Sequence, residues 1–258
     1  MGEWMSMRVA EPGLISHRWK GEPIFATLVE RPNKFLAICR IARRAVEAHV
    51  PDRGRCLDLL VPGQPLVLVE VGGQEGIPRR RTRYTVLLAR ARTAPSPWVS
   101  LDPAGAPRLV AVALERGLLP ELAGHSVVGR ELTFPRLRAR PRPRIDLLLR
   151  APSGEDVACE VKSVGAAREG VALFPDAPTL RGLRHLALLA RLARRGVPAA
   201  LVLCAQRGDV SAIAADESID PAFARALRAA RRAGVAVAGL RCAAHPGGME
   251  LLGPVPVL

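Results

Sequence analysis

Three side chains in one short segment have the types and spacing for phosphate chemistry. They are Asp146, Glu160 and Lys162, carried by Arg144-Ile-Asp-Leu-Leu-Leu-Arg150 and Val157-Ala-Cys-Glu-Val-Lys-Ser-Val164. Both stretches read as strands, and Ala-Pro-Ser-Gly-Glu-Asp between them reads as a hairpin turn. Centring the turn on Ser153 sets Asp146 opposite Glu160. Side chains alternate along a strand, so Glu160 and Lys162 share a face while Val161 points away. The three groups then converge on one patch, with Ile145, Leu147, Leu149 and Val161 packed on the other side.

Two carboxylates so close repel each other unless a cation lies between them. Oxygen ligands of this kind suit Mg2+ or Mn2+, which also bind phosphate oxygens. An ion held there would polarise a scissile phosphate and acidify a bound water. Lys162 would position that water or stabilise charge developing on the phosphate. This is the logic of phosphodiester hydrolysis. A plainer reading of the same spacing is a surface hairpin with an ordinary ion pair. The apolar run around Asp146 favours the first reading, because a charge buried there needs a partner. Residue choice points the same way. Of 38 basic residues only Lys20, Lys34 and Lys162 are lysine. A chain that uses arginine nearly everywhere keeps at 162 the side chain whose pKa responds to its surroundings.

The elements that must position this patch follow from hydrophobic periodicity. From 21 to about 100, short apolar runs (IFATLVE, FLAICRI, AVEAHV, PLVLVEV and YTVLLARA) alternate with turn residues, as in a small barrel or sandwich. An OB-like barrel is one candidate. Residues 94–97 and 102–107 read as the joint to a second domain. A helix is expected over about 108–117, closing at Gly117. Strands follow at 131–135, 144–150 and 157–164, then a helix at 179–195 and a continuously apolar strand at 198–205. Asp220-Pro221 opens another helix, which stops at Gly234 before a last strand at 235–242. Helices alternating with apolar strands imply an α/β layer. The fold class is therefore mixed: a domain at 1–100 rich in β-strands and an α/β domain at 101–258. Pro135–Pro143 reads as an exposed loop.

Composition bounds the partners. The 258 residues carry a formal charge of +14, a field that attracts polyanions such as DNA or RNA. High-GC codon usage pushes a chain toward arginine in the same direction. The Arg79-Arg80-Arg81-Thr-Arg83 cluster and the helix bearing Arg181, Arg184, His185, Arg191, Arg194 and Arg195 are candidate phosphate contacts, with a solvated surface as the alternative. Few aromatics favour backbone contacts to a duplex over base stacking. No segment reads as a membrane span or a secretory leader, so a cytoplasmic location is expected and no membrane partner. Five cysteines without a C-x-x-C pair read as buried apolar residues rather than zinc ligands or disulfides. Asp176 is expected to cap the helix that follows it.

RIDLLL, CEVKSV, GVALFPDAPTLRGLRHL and AQRGDV, with RPNKFLA, AHVPDRGRCLDLLVPG, RTRYTVLLAR and ELAGH upstream, resemble the sugar fermentation stimulation protein family across roughly residues 20–245. The resemblance implies an N-terminal OB-like barrel and a C-terminal PD-(D/E)xK nuclease-like domain. It also implies DNA binding linked to sugar utilisation and a nuclease activity on DNA or RNA, or alternatively a DNA-binding regulator that does not cut. By the same resemblance the hairpin aspartate is Asp146, the E-x-K pair is Glu160 and Lys162, and Glu131 joins the metal ligands. Gln206, followed by Arg207, would support catalysis. The family helix usually reads N-R-L-x-x-E-A-L; here Val112 stands where that pattern has glutamate, and Glu115 lies three residues on. The loop His49-Val-Pro-Asp-Arg-Gly54 replaces a neutral family loop.

Overall fold

The computed structural model describes residues 16–71, 82–133 and 144–258. The chain divides into two compact units. One holds the described residues up to Arg53, then Leu57–Asp102 and Ala243–Leu251; the other holds Gly54–Cys56, Pro103–Cys242 and Leu252–Leu258. Among the described residues no helix is long and apolar enough to cross a membrane.

The first unit is built on strands β1 (His17–Arg18), β2 (Ile24–Asn33), β3 (Leu36–Ile41), β4 (Arg44–His49), β5 (Pro65–Glu70), β6 (Tyr84–Arg90) and β7 (Trp98–Ser100). Five of them run β4-β3-β2-β5-β6 as antiparallel neighbours. A parallel pairing of β4 with β6, Ala48 with Tyr84 and His49 with Thr85, closes the sheet. The result is the five-stranded OB barrel. Alternation fills it: Ala26, Leu28, Ala37, Cys39, Ala48, Leu66, Leu68, Val86 and Leu88 are buried. Register shifts in β2 between Leu28 and Glu30 and again before Asn33 supply the bend that a small barrel needs. Strand β7, too short to register as a periodic run, pairs antiparallel with β6.

The second unit contains helix α1 (Ala106–Glu115), β8 (Ser126–Thr133), β9 (Arg144–Arg150), β10 (Asp156–Val164), β11 (Ala167–Arg168), β12 (Val171–Phe174), helix α2 (Leu180–Ala193), β13 (Ala199–Ala205), β14 (Ala212–Ala215) and helix α3 (Pro221–Arg232). Strands β15 (Ala236–His245) and β16 (Gly248–Pro254) complete the chain. The main sheet of this unit runs β15-β13-β10-β9-β8. It is parallel from β15 to β10 and antiparallel from β10 to β8. Strands β11, β12 and β14 form a separate small sheet. The central strand β13 is buried at every residue, as its unbroken apolar run requires.

Both α2 and α3 bury their apolar stripes on one face of the main sheet. Leu186, Leu189, Leu192, Phe223, Leu227 and Ala230 share a core with Leu148, Ala158, Val164, Leu201 and Leu203. The residues of β10 that alternate with these, Cys159 and Val161, belong to the other face; α1 also packs on β10. The helix ends follow sequence chemistry. Asp220 accepts from Phe223 N at 2.9 Å and so caps α3. Helix α1 closes with Leu118 N donating to Ala113 O and Gly117 at φ +67°, a turn that glycine adopts without strain. All five cysteines are free and buried.

Candidate active site

The hairpin of β9 and β10 sets the geometry. Its turn is closed by Ala151 N donating to Glu155 O at 2.9 Å, with Gly154 at φ +86°. From there Asp156 pairs with Arg150, Val157 with Leu149, Ala158 with Leu148 and Cys159 with Leu147. The next step of this register brings Asp146 across from Glu160. There the ladder yields to the side chain: Val161 N donates to Asp146 Oδ2 at 2.9 Å. Strand β10 lies between β9 and β13, so Glu160 is only 2% exposed. A carboxylate so placed needs partners, and it has two. Glu160 Oε1 accepts from Lys162 Nζ, two residues along the same face. It also accepts from His185 Nδ1 on α2.

His185 reaches the strand because of where α2 begins and how it is turned. Thr179 caps the helix, its hydroxyl accepting from Gly182 N at 3.0 Å. Asp220 Oδ2 accepts from Thr179 N at 2.9 Å, so one carboxylate serves the starts of both α2 and α3. His185 stands with Gly182, Leu186 and Leu189 at the i, i+3, i+4, i+7 spacing of a buried stripe. Lys162 Nζ lies 3.4 Å from His185 Nδ1. With both nitrogens directed at Glu160, Nδ1 carries the imidazole proton.

The two acids are driven apart electrostatically. Burial and then the charge of Glu160 push the Asp146 carboxyl up from its ordinary range; the Val161 amide and Lys162 oppose this without cancelling it. Burial also acts to raise Glu160, but the His185 hydrogen bond and the Lys162 charge overcome it and hold Glu160 below its ordinary range. The centre is thus a stably ionised glutamate beside a more basic aspartate, with an ammonium and an imidazole facing them.

The structure brings together Asp146, Glu160, Lys162 and His185; the sequence places the first three on one patch and offers His185 as a phosphate contact beside the arginines or as part of a solvated surface. The others lie elsewhere. Glu131, on β8, has φ +51° and an 80%-exposed side chain that pairs with Arg144 at 3.2 Å. Gln206 is buried and donates to Ser163 Oγ at 2.7 Å, on the face of β10 opposite to Lys162. Arg207, also buried, grips Asp209 through Nε and Nη2 at 2.7 and 2.8 Å and donates to Gly165 O, which anchors the chain beyond β10. Asp176 does not cap α2; Thr179 does, and Asp176 Oδ2 instead accepts from Cys56 N at 3.1 Å. Arg83 is exposed and engaged by Glu70 at 2.6 Å. Arg181 and Arg184 are exposed on α2. Arg79, Arg80 and Arg81, and the Pro135–Pro143 loop, lie outside the described residues.

Comparison with known proteins decides the lineage. The model of the sugar fermentation stimulation protein RE domain matches residues 105–248, and that of the SfsA N-terminal OB domain matches residues 29–101. A sugar fermentation stimulation protein homolog of Chloroflexus aurantiacus is 43% identical over 92% of this chain and 86% of its own length. The chain belongs to the sugar fermentation stimulation protein family. Another member, from Moorella thermoacetica, is 38% identical over 91% of this chain and 96% of its own. Pyrococcus furiosus SfsA, solved in complex with Ca2+, superposes with a TM-score of 0.81 at 25% identity, over 95% of this chain and 99% of that one.

Within this sugar fermentation stimulation protein family member, the fit to a divalent ion rests on the chemistry of the donors. Among the described residues no group of three or more His, Cys, Asp or Glu side chains is arranged to hold a metal. What the centre offers is two adjacent carboxylates of hard oxygen, one of them made less acidic by burial and by the charge of the other. That donor set suits an ion that keeps several waters and takes further oxygens from a substrate, as Mg2+ does. Val112, half-buried on α1, brings no oxygen donor.

Proposed function

We propose that this protein is a divalent-metal-dependent nuclease that hydrolyses phosphodiester bonds of DNA or RNA in the cytoplasm. The observation that carries the reading is the meeting of Asp146, Glu160 and Lys162 on one face of a buried hairpin. Asp146 and Glu160 would hold Mg2+ or Mn2+, which when bound neutralises phosphate charge and makes a coordinated water more acidic. The Ca2+ in Pyrococcus furiosus SfsA supports a divalent site in this family.

Hydrolysis joins a water oxygen to phosphorus and breaks one phosphorus–oxygen ester bond. It needs a proton acceptor and a cation facing the phosphate oxygens. Without the ion Asp146 is the more basic of the two acids; as a ligand it would orient the attacking water by accepting a hydrogen bond from it. Lys162 supplies an ammonium held in place by Glu160. His185 positions the Glu160 carboxylate by its own hydrogen bond. Arg181 and Arg184 on α2 contact the nucleic-acid backbone.

The test is cleavage of plasmid and of RNA with Mg2+ or Mn2+. Activity is expected for the wild type and lost in Glu160→Ala and Lys162→Ala; equal activity in all three removes the enzymatic reading. The resemblance supports a second reading, a DNA-binding regulator of sugar-utilisation genes that does not cut: Val112 stands where the family pattern has glutamate. Salt-sensitive binding that survives both substitutions, with no cleavage under either metal, selects it.

A further inference from the structure

The two helices that cover the catalytic face share a property the hairpin does not explain. Neither Leu180–Ala193 nor Pro221–Arg232 contains an aspartate or a glutamate, although the chain has 24 acidic residues. Arg181, Arg184 and Arg191 on α2, and Arg225, Arg228 and Arg232 on α3, are all exposed. Their spacings of three, four and seven residues align them as one stripe along each helix. The helices pack against each other over a common core, so both stripes look away from the sheet.

Folding alone gives no reason for this. Like charges three and four residues apart on a helix repel. Basic residues near the C-terminal ends would favour the helix dipoles, but Arg181 stands in the first turn of α2, where the dipole disfavours a cation. An ordinary solvated face mixes both signs. Of the six arginines, Arg228 alone has an acidic partner among the described residues, Glu217. The stripe on α2 starts beside His185, which touches the acidic centre. From Arg181 to Arg191 it extends about 15 Å at the rise of an α-helix. That length of duplex presents about nine phosphates.

We propose that α2 and α3 form one phosphate-binding surface on which the backbone of a nucleic-acid duplex lies, on the outer side of the helix that carries His185. This rests on the reading that the centre acts on nucleic acid, and it adds α3, which that reading did not use. The chemistry recognised is the phosphate backbone, not the bases. Guanidinium groups match phosphate in a bidentate fork. The aromatic ring on these helices, Phe223, is fully buried and unavailable for stacking.

The experiment uses the full chain with Glu160→Gln, so that binding is read without cutting. Anisotropy of a labelled duplex is followed through a salt titration, for two unrelated sequences. The double substitution Arg225→Gln and Arg232→Gln, both outside the catalytic centre, removes two phosphate contacts. It is expected to lower the slope of log K against log salt by about 1.8, equally for both sequences. Arg225→Lys with Arg232→Lys keeps the slope, and unchanged melting of the glutamine variant shows that the fold is intact. A slope unaffected by the glutamine substitutions overturns the proposal. So does tighter binding to phosphatidylserine-containing vesicles than to the duplex at equal phosphate. A lowered slope with no cleavage by the wild type sustains this surface and removes the nuclease; cleavage with an unaffected slope does the reverse.

Discussion

Replacing Lys162 by methionine isolates the electrostatics of the centre, because methionine keeps the apolar stem and removes the ammonium. The Glu160 side chain is 3% exposed and that of Lys162 is 15% exposed, so water replaces little of the lost interaction. A charge-assisted hydrogen bond contributes about 1.5–3 kcal/mol, and stripping a buried charge of its partner costs about 3–5 kcal/mol. His185 remains on Glu160, which places the expected loss at about 2–3 kcal/mol. At about 2–4 °C per kcal/mol for a chain of this size, melting falls by about 4–12 °C. The pH dependence follows from linkage. Glu160 titrates below its ordinary value of 4.5 in the folded protein, so its pairing stabilises above that value and the benefit fades as pH falls through the folded value. Asp146 is raised, so its ionisation already costs stability as pH rises; loss of Lys162 raises it further. The deficit of the variant is therefore full at neutral pH and shrinks in acid, where both carboxyls are protonated. Circular-dichroism melts at neutral pH and in acid well below 4.5 measure it. A variant as stable as the wild type at neutral pH, or a deficit of equal size in acid, refutes the electrostatic account.

Three further outcomes follow from contacts described above. Asp146→Asn keeps an acceptor for Val161 N and removes a carboxyl that burial disfavours, so the protein should melt no lower at neutral pH yet gain nothing from added Ca2+; a preserved Ca2+ shift would mean that Asp146 is not a ligand. Gly54→Ala puts a Cβ 2.2 Å from Asp176 Oδ2 and forces that carboxylate off Cys56 N, with an expected loss of about 1–3 kcal/mol in denaturant melts. The thiols should be inert: all five are buried, and burial pushes Cys39 up to about 12, so a disulfide reagent at neutral pH should label none until the chain is unfolded.

Much of the centre was legible because its signals are local. Strand β9 begins and ends where the apolar run does, and the Ser153-Gly154 turn alone sets the register whose next step brings Asp146 across from Glu160. The Asp220-Pro221 start of α3 and the glycines beyond α1 and α3 were equally direct. His185 was harder. Its neighbours on α2 are arginines, which suggested an outward face, while the Gly182-His185-Leu186-Leu189 stripe that turns it inward competes with them in the same helix. Strands β11, β12 and β14 escaped notice because two to four residues cannot show a period. Glu131 shows the opposite failure. Its register lies across from Asp146, but a positive φ and the pull of Arg144 take its carboxylate away, and neither is written in strand alternation.

Asp220 binds the first turns of α2 and α3 to one carboxylate, with Thr179 N on one oxygen and Phe223 N on the other. Mechanically the two helices share a single rivet at their leading ends. Traction on α3 is transmitted to α2, and with it to the imidazole that steadies Glu160. Under the proposed function, grip on a long polymer by α3 and alignment of Asp146 with Glu160 would be joined through one small acid that touches neither.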